Sequence, residues 1–150
     1  MSSFEEGREM GRHIVSSFDD DLIAVQARIS EMGGVAEEML SGALEAVKNR
    51  DPQLAQEVIA RDKRLDAIEI EVEALATRVI ALRQPMAGDL RLMISALKMA
   101  STLERVGDLS KNIARRAIYL ASVRPVKLSS SIVRMGTQTL GQLTEVLDAF

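Results

Sequence analysis

The sequence predicts an all-α protein: a long antiparallel three-helix bundle followed by the first helix of a second, similar unit. Three observations support this fold class. Apolar residues recur at spacings of three and four through several long stretches, prolines fall only between those stretches, and β-strand patterns are nearly absent. Apolar residues make up 47% of the 150 residues and aromatic residues only 3%, so the predicted core is aliphatic.

The three prolines mark the predicted helix boundaries. Asp51-Pro52 combines a favoured N-cap residue with proline at the first helical position. Gln84-Pro85 and Arg124-Pro125 end the segments before them, because a residue that precedes proline disfavours the helical conformation. Short connections of this kind place consecutive helices side by side in antiparallel order.

We therefore expect a lead-in segment over residues 1–16, a three-helix unit over residues 17–124 and a further helix over residues 125–150. The apolar positions predict which side of each helix is buried. In the first three helices these positions are Phe18, Leu22, Val25, Ile29, Met32, Ala36, Met39, Ala43 and Ala46; then Leu54, Val58, Leu65, Ile68, Val72, Leu75, Val79 and Leu82; then Leu92, Ala96, Met99, Leu103, Val106, Ser110, Ile113, Ala117 and Leu120.

The last segment repeats part of the first helix. Shifted by 103 positions, Met32-Gly33 matches Met135-Gly136, and Leu44 matches Leu147. An internal repeat explains the match, so a complete second unit would need about 80 to 100 more residues. The unpaired helix would expose its apolar side, which favours self-association. That side is predicted to carry Leu128, Ile132, Met135, Thr139, Leu143, Val146 and Phe150.

Composition excludes several classes of function. The chain has no Cys, which rules out disulfides, thiol catalysis and iron–sulfur clusters, and its single His, His13, rules out a His-rich metal site. A formal net charge of −3 argues against a general nucleic-acid-binding surface. Since neither a signal sequence nor a membrane-spanning stretch is evident, we expect a cytoplasmic protein.

Acidic residues follow the margin of the apolar side on the second and third helices. Asp62, Asp66, Glu69 and Glu73 each lie one residue after a position of the apolar side, where Arg61 is the one polar member. Glu104 and Asp108 form an i,i+4 pair. Like charges at this spacing repel one another, so these residues are not explained by helix stability.

The two acidic sets are expected to face each other across the bundle. Reflection about the connection near residues 83–86 places Asp108 near residue 61 and Glu104 near residue 65. Such a cluster can be relieved by protonation, by Lys or Arg from a neighbouring helix, or by a hard cation such as Mg²⁺, Ca²⁺, Mn²⁺ or iron. A solvated acidic face with no ligand is a further alternative, and the residues alone leave all four open.

Two stretches of the sequence resemble the PhoU family of phosphate-signalling proteins. One is Arg83-Gln84-Pro85 followed by Asp89-Leu90-Arg91, and the other is the LERVGD run from Leu103 to Asp108. The opening stretch from Gly11 and the Met32-Gly33-Gly34 stretch fit the family as well, so the resemblance covers nearly the whole chain.

The resemblance implies a fold of two three-helix repeats, each with an E/D-x-x-x-D motif that belongs to a metal site. Here the motif is Glu104–Asp108, and the best-placed acids of the neighbouring helix are Asp62, Asp66 and Glu69. The implied cofactor is a divalent or trivalent metal such as Mg, Mn, Fe or Zn. The sequence departs from the family pattern because the second repeat stops after its first helix, before a second motif.

The resemblance also implies function. PhoU-like proteins are not enzymes but negative regulators of high-affinity phosphate uptake and of the phosphate-starvation two-component response. The implied partners are the ATPase of the phosphate ABC transporter and the sensor histidine kinase, with membrane association only through them and no nucleic acid. A homo-oligomer, usually a dimer, is expected.

Two other functions draw on the same acidic residues. A ferritin-like di-metal carboxylate oxidase would use them as ligands, but it also needs Glu-x-x-His pairs, which one His outside the predicted helices does not supply. A purely structural bundle with a solvated acidic face is the other alternative.

Overall fold

The described part of the chain is helical almost throughout, as expected for an all-α bundle. The computed structural model describes residues 3–124 and 128–149, with side chains from residue 20 onward. These residues form four helices: α1 (Ser3–Asn49), α2 (Pro52–Arg83), α3 (Ala87–Ser122) and α4 (Ser130–Asp148). The prediction of an all-α bundle is confirmed. None of the helices described is both long and apolar enough to cross a membrane.

The first helix begins earlier than the sequence pattern indicated. We expected residues 1–16 to form a lead-in, but α1 already begins at Ser3, so most of that segment continues the helix. His13 therefore lies within α1 and not outside the helices. The apolar period is weak over these residues, which is why the sequence pattern did not predict a helix there. The side chain of Phe18 and residues 125–127 and 150 lie outside what the structure describes.

Helix α2 begins and ends where the prolines predicted, at Pro52 and just before Gln84-Pro85. Asp51 is the N-cap of α2, and its carboxylate accepts hydrogen bonds from the backbone N–H groups of Gln53, at 2.9 Å, and Leu54, at 3.0 Å. Gln84 ends α2 in the left-handed conformation, with φ of 46°. Arg50, also left-handed at φ of 55°, donates to the carbonyl oxygen of Val123 at 3.1 Å and so caps the end of α3.

Helices α1, α2 and α3 pack against one another around one aliphatic core. Most of the predicted apolar positions are buried, and the largest side chains withdrawn from solvent are those of Ile29, Met32, Met39, Leu65, Ile68 and Met93. Leu82 was predicted to be buried, but 73% of it is exposed because α2 ends one residue later and the core does not reach its last turn. Ion pairs join the outer edges of α1 and α2, for example Arg28 Nε to Glu71 Oε2 at 3.2 Å.

Gly107 allows α2 and α3 to approach closely. A Cβ atom at this position would lie 2.1 Å from Cδ2 of Leu65, a side chain that is fully buried. A larger residue there would require the Leu65 side chain to shift within a closely packed core. The contact therefore fixes how α2 and α3 are aligned along their length.

Among the described helices, α4 packs against α1 alone, and the packing is reciprocal. A Cβ atom on Gly33 would lie 2.5 Å from Cδ2 of Leu147, and one on Gly136 would lie 2.5 Å from Cδ2 of Leu44. The two contacts are equivalent in the internal repeat, because Gly136 and Leu147 are the positions that correspond to Gly33 and Leu44 after the shift by 103 residues. Two copies of the same helix thus pack on each other about a local pseudo-twofold axis, and close helix approach explains Gly33.

The outer side of α4 is exposed, as the sequence predicted for an unpaired helix. Ile132, Met135 and Val146 are 49%, 62% and 64% exposed. Their counterparts in the first copy of the repeat are all buried under α2 and α3: Ile29, Met32 and Ala43. The exposed side of α4 is thus the equivalent of the side by which α1 contacts its own bundle.

Two glycines in helix interiors are expected to respond oppositely to alanine. Gly107→Ala should lower the free energy of unfolding by about 1–3 kcal/mol, because the added methyl group overpacks the contact with Leu65. Gly34→Ala should raise it by about 0.5–1 kcal/mol, because Gly34 has open space around it and alanine favours the helix. Urea denaturation measures both values. Equal stabilisation by the two substitutions would contradict the close approach at Gly107.

Candidate functional site

The predicted acidic residues lie together along the groove between α2 and α3. We call this group the acidic cluster: Asp62, Asp66 and Glu69 from α2 and Glu104 and Asp108 from α3. Electrostatic interactions connect Asp108 with Asp66 and Glu104 with both Asp66 and Glu69. This placement is consistent with the prediction that the acids of α2 and those of α3 face each other.

The register of α2 and α3 differs from the predicted one by about one helical turn. Gly107 lies against Leu65 and Lys111 pairs with Asp62, whereas the reflection placed Asp108 near residue 61 and Glu104 near residue 65. The connection contains a left-handed Gln84 and an extended Met86. It is therefore not a symmetric turn, and simple reflection about it does not give the alignment of the two helices.

Lys111 bridges the two sides of the acidic cluster. Its ammonium nitrogen lies 2.6 Å from Oδ2 of Asp62 on α2 and 2.6 Å from Oδ1 of Asp108 on α3. Only 17% of the Lys111 side chain and 14% of that of Asp62 are exposed, so this pair is shielded more than an ordinary surface ion pair. Charge compensation by a lysine, one of the alternatives left open by the sequence, is the one that this arrangement contains.

The ion pairs shift the ionisation of their partners in opposite directions. Hydrogen bonds from Lys111 lower the pKa of the Asp108 carboxyl group below its usual value. Hydrogen bonds to Asp108 and Asp62 raise the pKa of the Lys111 ammonium, so it stays charged at neutral pH. Both shifts favour the charged forms, and the α2–α3 bridge is therefore present across the physiological pH range.

The remaining members of the acidic cluster are not fully compensated. Desolvation raises the pKa of Glu104, and the charge of Asp108 adds to the increase. Desolvation also raises the pKa of Asp66, with a further contribution from Asp62, and that of Glu69, with a further contribution from Glu73. One lysine thus neutralises one end of the cluster, while the Glu104 end retains excess negative charge.

The side chains as they stand do not form a metal site ready for occupation. Among residues 20–124 and 128–149, the structure contains no group of three or more His, Asp or Glu side chains placed to hold one ion. The oxygen donors have the chemistry that hard cations prefer. However, the Lys111 ammonium occupies the position between Asp62 and Asp108, so a cation would have to displace it.

Sequence reasoning missed the role of Lys111, although a signal was available. Lys111 follows Asp108 by three residues, which places both on one side of α3. The sequence analysis gave Lys111 no role in the site. Glu31 and Glu38 of α1 lie outside the acidic cluster and pair with arginines of α2.

Arg83 and Asp89, at the α2–α3 connection, also lie outside the acidic cluster. Arg83 pairs with Asp21 of α1, with Nη2 at 3.5 Å from Oδ2, and Asp89 lies in the first turn of α3. An acidic residue there complements the helix dipole. This end of the bundle is therefore organised by structural contacts.

The fold and the acidic cluster together define a class of protein: a helical bundle with an E-x-x-x-D motif facing the acids of a neighbouring helix. Residues 29–117 match the PhoU domain. The chain is 46% identical over 142 residues to a phosphate-specific transport system accessory protein PhoU homolog from Caulobacter vibrioides, covering 94% of this chain and 62% of that protein. The chain belongs to the PhoU family, and the resemblance predicted from the motifs is confirmed.

Further relatives agree with this assignment. The phosphate-specific transport system accessory protein PhoU of Escherichia coli is 37% identical over 141 residues, covering 94% of this chain and 58% of that protein. The crystal structure of PhoU from Pseudomonas aeruginosa superposes with a TM-score of 0.85 at 36% identity, covering 89% of this chain and 64% of that one. The chain thus spans about three fifths of the length of these relatives.

Replacing Glu104 by Gln is expected to stabilise the protein at neutral pH. The amide removes the repulsion from Asp108 and supplies a hydrogen-bond donor to its carboxylate, which should raise Tm by about 1–2 °C. In the folded protein the pKa of Glu104 lies above its usual value of 4.5. The carboxyl group therefore gains a proton as the pH falls through this raised pKa, and below it the Glu104→Gln protein should no longer be more stable than the original chain.

Thermal melts over a pH series measure this difference. Glu57→Gln on the exposed side of α2 is the matched control, and it should change Tm equally little at every pH. A Glu104→Gln protein that melts below the original chain at neutral pH would contradict the excess negative charge at this end of the acidic cluster.

Proposed function

We propose that this chain is a non-enzymatic regulator of phosphate transport that acts negatively on high-affinity phosphate uptake. The observation that carries the proposal is the match of residues 29–117 to the PhoU domain, together with relatives named as accessory proteins of phosphate-specific transport. The proposed location is the cytoplasm, where the ATPase of a phosphate ABC transporter and a sensor histidine kinase present their soluble domains. The chain would act through contacts with these two proteins, as a homo-oligomer.

The rigidity of the bundle supports action through protein contacts. Its core consists of fully buried aliphatic side chains, and its α1–α2 edges are joined by ion pairs. A surface held by such a core keeps its side chains in place, which lowers the entropy cost of binding a partner. The proposal therefore assigns the function to the outer surface of the bundle.

The acidic cluster is proposed as a cation-responsive part of that surface. Its ligands would be Glu104, Asp108, Asp62, Asp66 and Glu69, and the ion a divalent or trivalent metal such as Mg, Mn, Fe or Zn. Support comes from the all-oxygen donor set and from the uncompensated charge at Glu104. Because Lys111 now neutralises Asp62 and Asp108, binding requires that the ammonium leave its position.

The ferritin-like oxidase remains a poorer account of the same residues. Its Glu-x-x-His pairs would have to lie on the helices that carry the acids. The only His of the chain is in α1, whereas the acidic cluster belongs to α2 and α3.

Deleting the gene for this chain is expected to raise phosphate uptake when phosphate is plentiful, because the transporter would lose its negative regulator. Uptake of radiolabelled phosphate and a reporter of the starvation response measure the effect, and expression of the chain from a plasmid should restore repression. Uptake that stays at the original level after deletion, with the reporter silent, would refute the proposed function.

Metal binding is expected to depend on the acidic pair of α3. Titration of the purified chain with Mn²⁺ should give measurable heat and a higher Tm, and Glu104→Ala/Asp108→Ala should abolish both by removing oxygen ligands. Glu145→Ala/Asp148→Ala, on α4, removes the same charge away from the cluster and serves as control. If the chain gives no heat with Mn²⁺, Mg²⁺, Fe²⁺ or Zn²⁺, or if the α4 variant loses binding equally, the cation proposal fails and Lys111 alone compensates the cluster.

A further inference from the structure

The outward side of α3 carries a row of basic and apolar side chains. We call this row the basic stripe: Ile94, Lys98, Arg105, Leu109, Arg116 and Tyr119. The members recur at helical spacing and all are exposed, with Leu109 at 55% and Tyr119 at 67%. The stripe spans about 38 Å along the helix axis, at 1.5 Å for each residue.

The cations of the basic stripe lack partners in the part of the chain that the structure describes. Lys98, Arg105 and Arg116 form no ion pair with residues 20–124 or 128–149, whereas Arg61, Arg64 and Arg78 of α2 all do. The acids of α3 do not compensate the stripe, because Glu104 and Asp108 lie on the side towards α2. A positive row therefore faces solvent on a chain whose net charge is −3.

The residue types in the stripe favour a protein partner over a membrane. Arg and Tyr are enriched at protein interfaces, where they supply anchoring contacts, whereas membrane-surface helices need a continuous apolar face. Here Ile94, Leu109 and Tyr119 are separated by charged residues. Alternation of this kind at spacings of three and four suits a second helix that lies along α3 at a shallow angle.

Charge complementarity indicates an acidic partner helix other than a second copy of this chain. Within the described residues, a second copy offers no uniformly acidic helix side, because the exposed acids of α2 are interspersed with Arg61, Lys63, Arg64 and Arg78, and six carboxylates already form ion pairs. Asp62 and Asp108 pair with Lys111, and Asp21, Glu31, Glu38 and Glu71 pair with arginines. We infer that the basic stripe is the docking surface for an acidic amphipathic helix of a different protein, which places carboxylates against Arg105 and Arg116 and an apolar side chain between Leu109 and Tyr119.

This inference rests on the proposed function only in assigning the helix to a component of phosphate transport or its signalling. The surface is also distinct from the acidic cluster, so cation binding and partner docking belong to two sides of the same helix. Electrostatic steering by the stripe would raise the association rate and make binding sensitive to salt.

Photo-crosslinking in living cells tests the inference. The photoreactive residue p-benzoylphenylalanine replaces Leu109 in the full chain, and the same replacement at Ile70, which is 64% exposed on α2, is the control. We expect a crosslink from position 109 alone, to a peptide that mass spectrometry identifies as an acidic helix of another protein. Crosslinks to lipid, to RNA or to a second copy of this chain would overturn the inference. The lack of any crosslink from position 109 would overturn it as well.

A charge-matched pair of variants separates specific docking from general electrostatics. Arg105→Gln/Arg116→Gln should lower the yield of the crosslink roughly tenfold, while Lys63→Gln/Arg134→Gln, with the same change in net charge, should alter it by less than about twofold. Circular dichroism should show that both variants fold, since all four side chains are exposed. Equal yields from the two variants would overturn the assignment to the stripe.

The same strains distinguish this inference from the proposed function. A crosslink to an acidic helix in cells whose phosphate uptake does not respond to deletion of the gene would support the stripe and refute the function. Normal control of uptake without a crosslink from position 109 would support the function and refute the stripe.

Discussion

The close approach of α2 and α3 at Gly107 is the contact on which the arrangement of charges depends. Leu65 fills the space that any larger residue at 107 would occupy, and it is fully buried in doing so. Two helices held at one register by a core contact also hold their flanking residues level. The position of Asp108 beside Asp66, and of Lys111 beside Asp62, follows from a packing constraint one residue away.

Helix α3 consequently presents two surfaces of opposite charge. The side towards α2 gathers carboxylates whose pKa values are raised at one end and whose charge is neutralised by Lys111 at the other. The outward side carries unpaired cations among exposed apolar groups. Since one helix carries both, cation binding at the acidic cluster and partner binding at the basic stripe would occur on two different sides of α3.

Much of this architecture could be predicted from periodicity and prolines, because long helices leave a regular apolar pattern and Asp51-Pro52 is a strong start signal. The composition of the acidic cluster could be predicted for the same reason. Its register could not, since the alignment of α2 and α3 follows the contact of Gly107 with Leu65, which the apolar period does not reveal. The pairing of Lys111 across the groove depended on that register and was missed with it.

The reciprocal contact between α1 and α4 has a consequence for how the chain opens. Helix α1 is held by three neighbours, but α4 rests on α1 only, through Leu147 and Leu44 against their glycines. Elements with few buried contacts exchange their amide hydrogens through low-energy openings, while core helices exchange only when the whole domain unfolds. In the described part of the chain, α4 is therefore expected to open at a lower free energy than the three-helix bundle, and its amide hydrogens to exchange first.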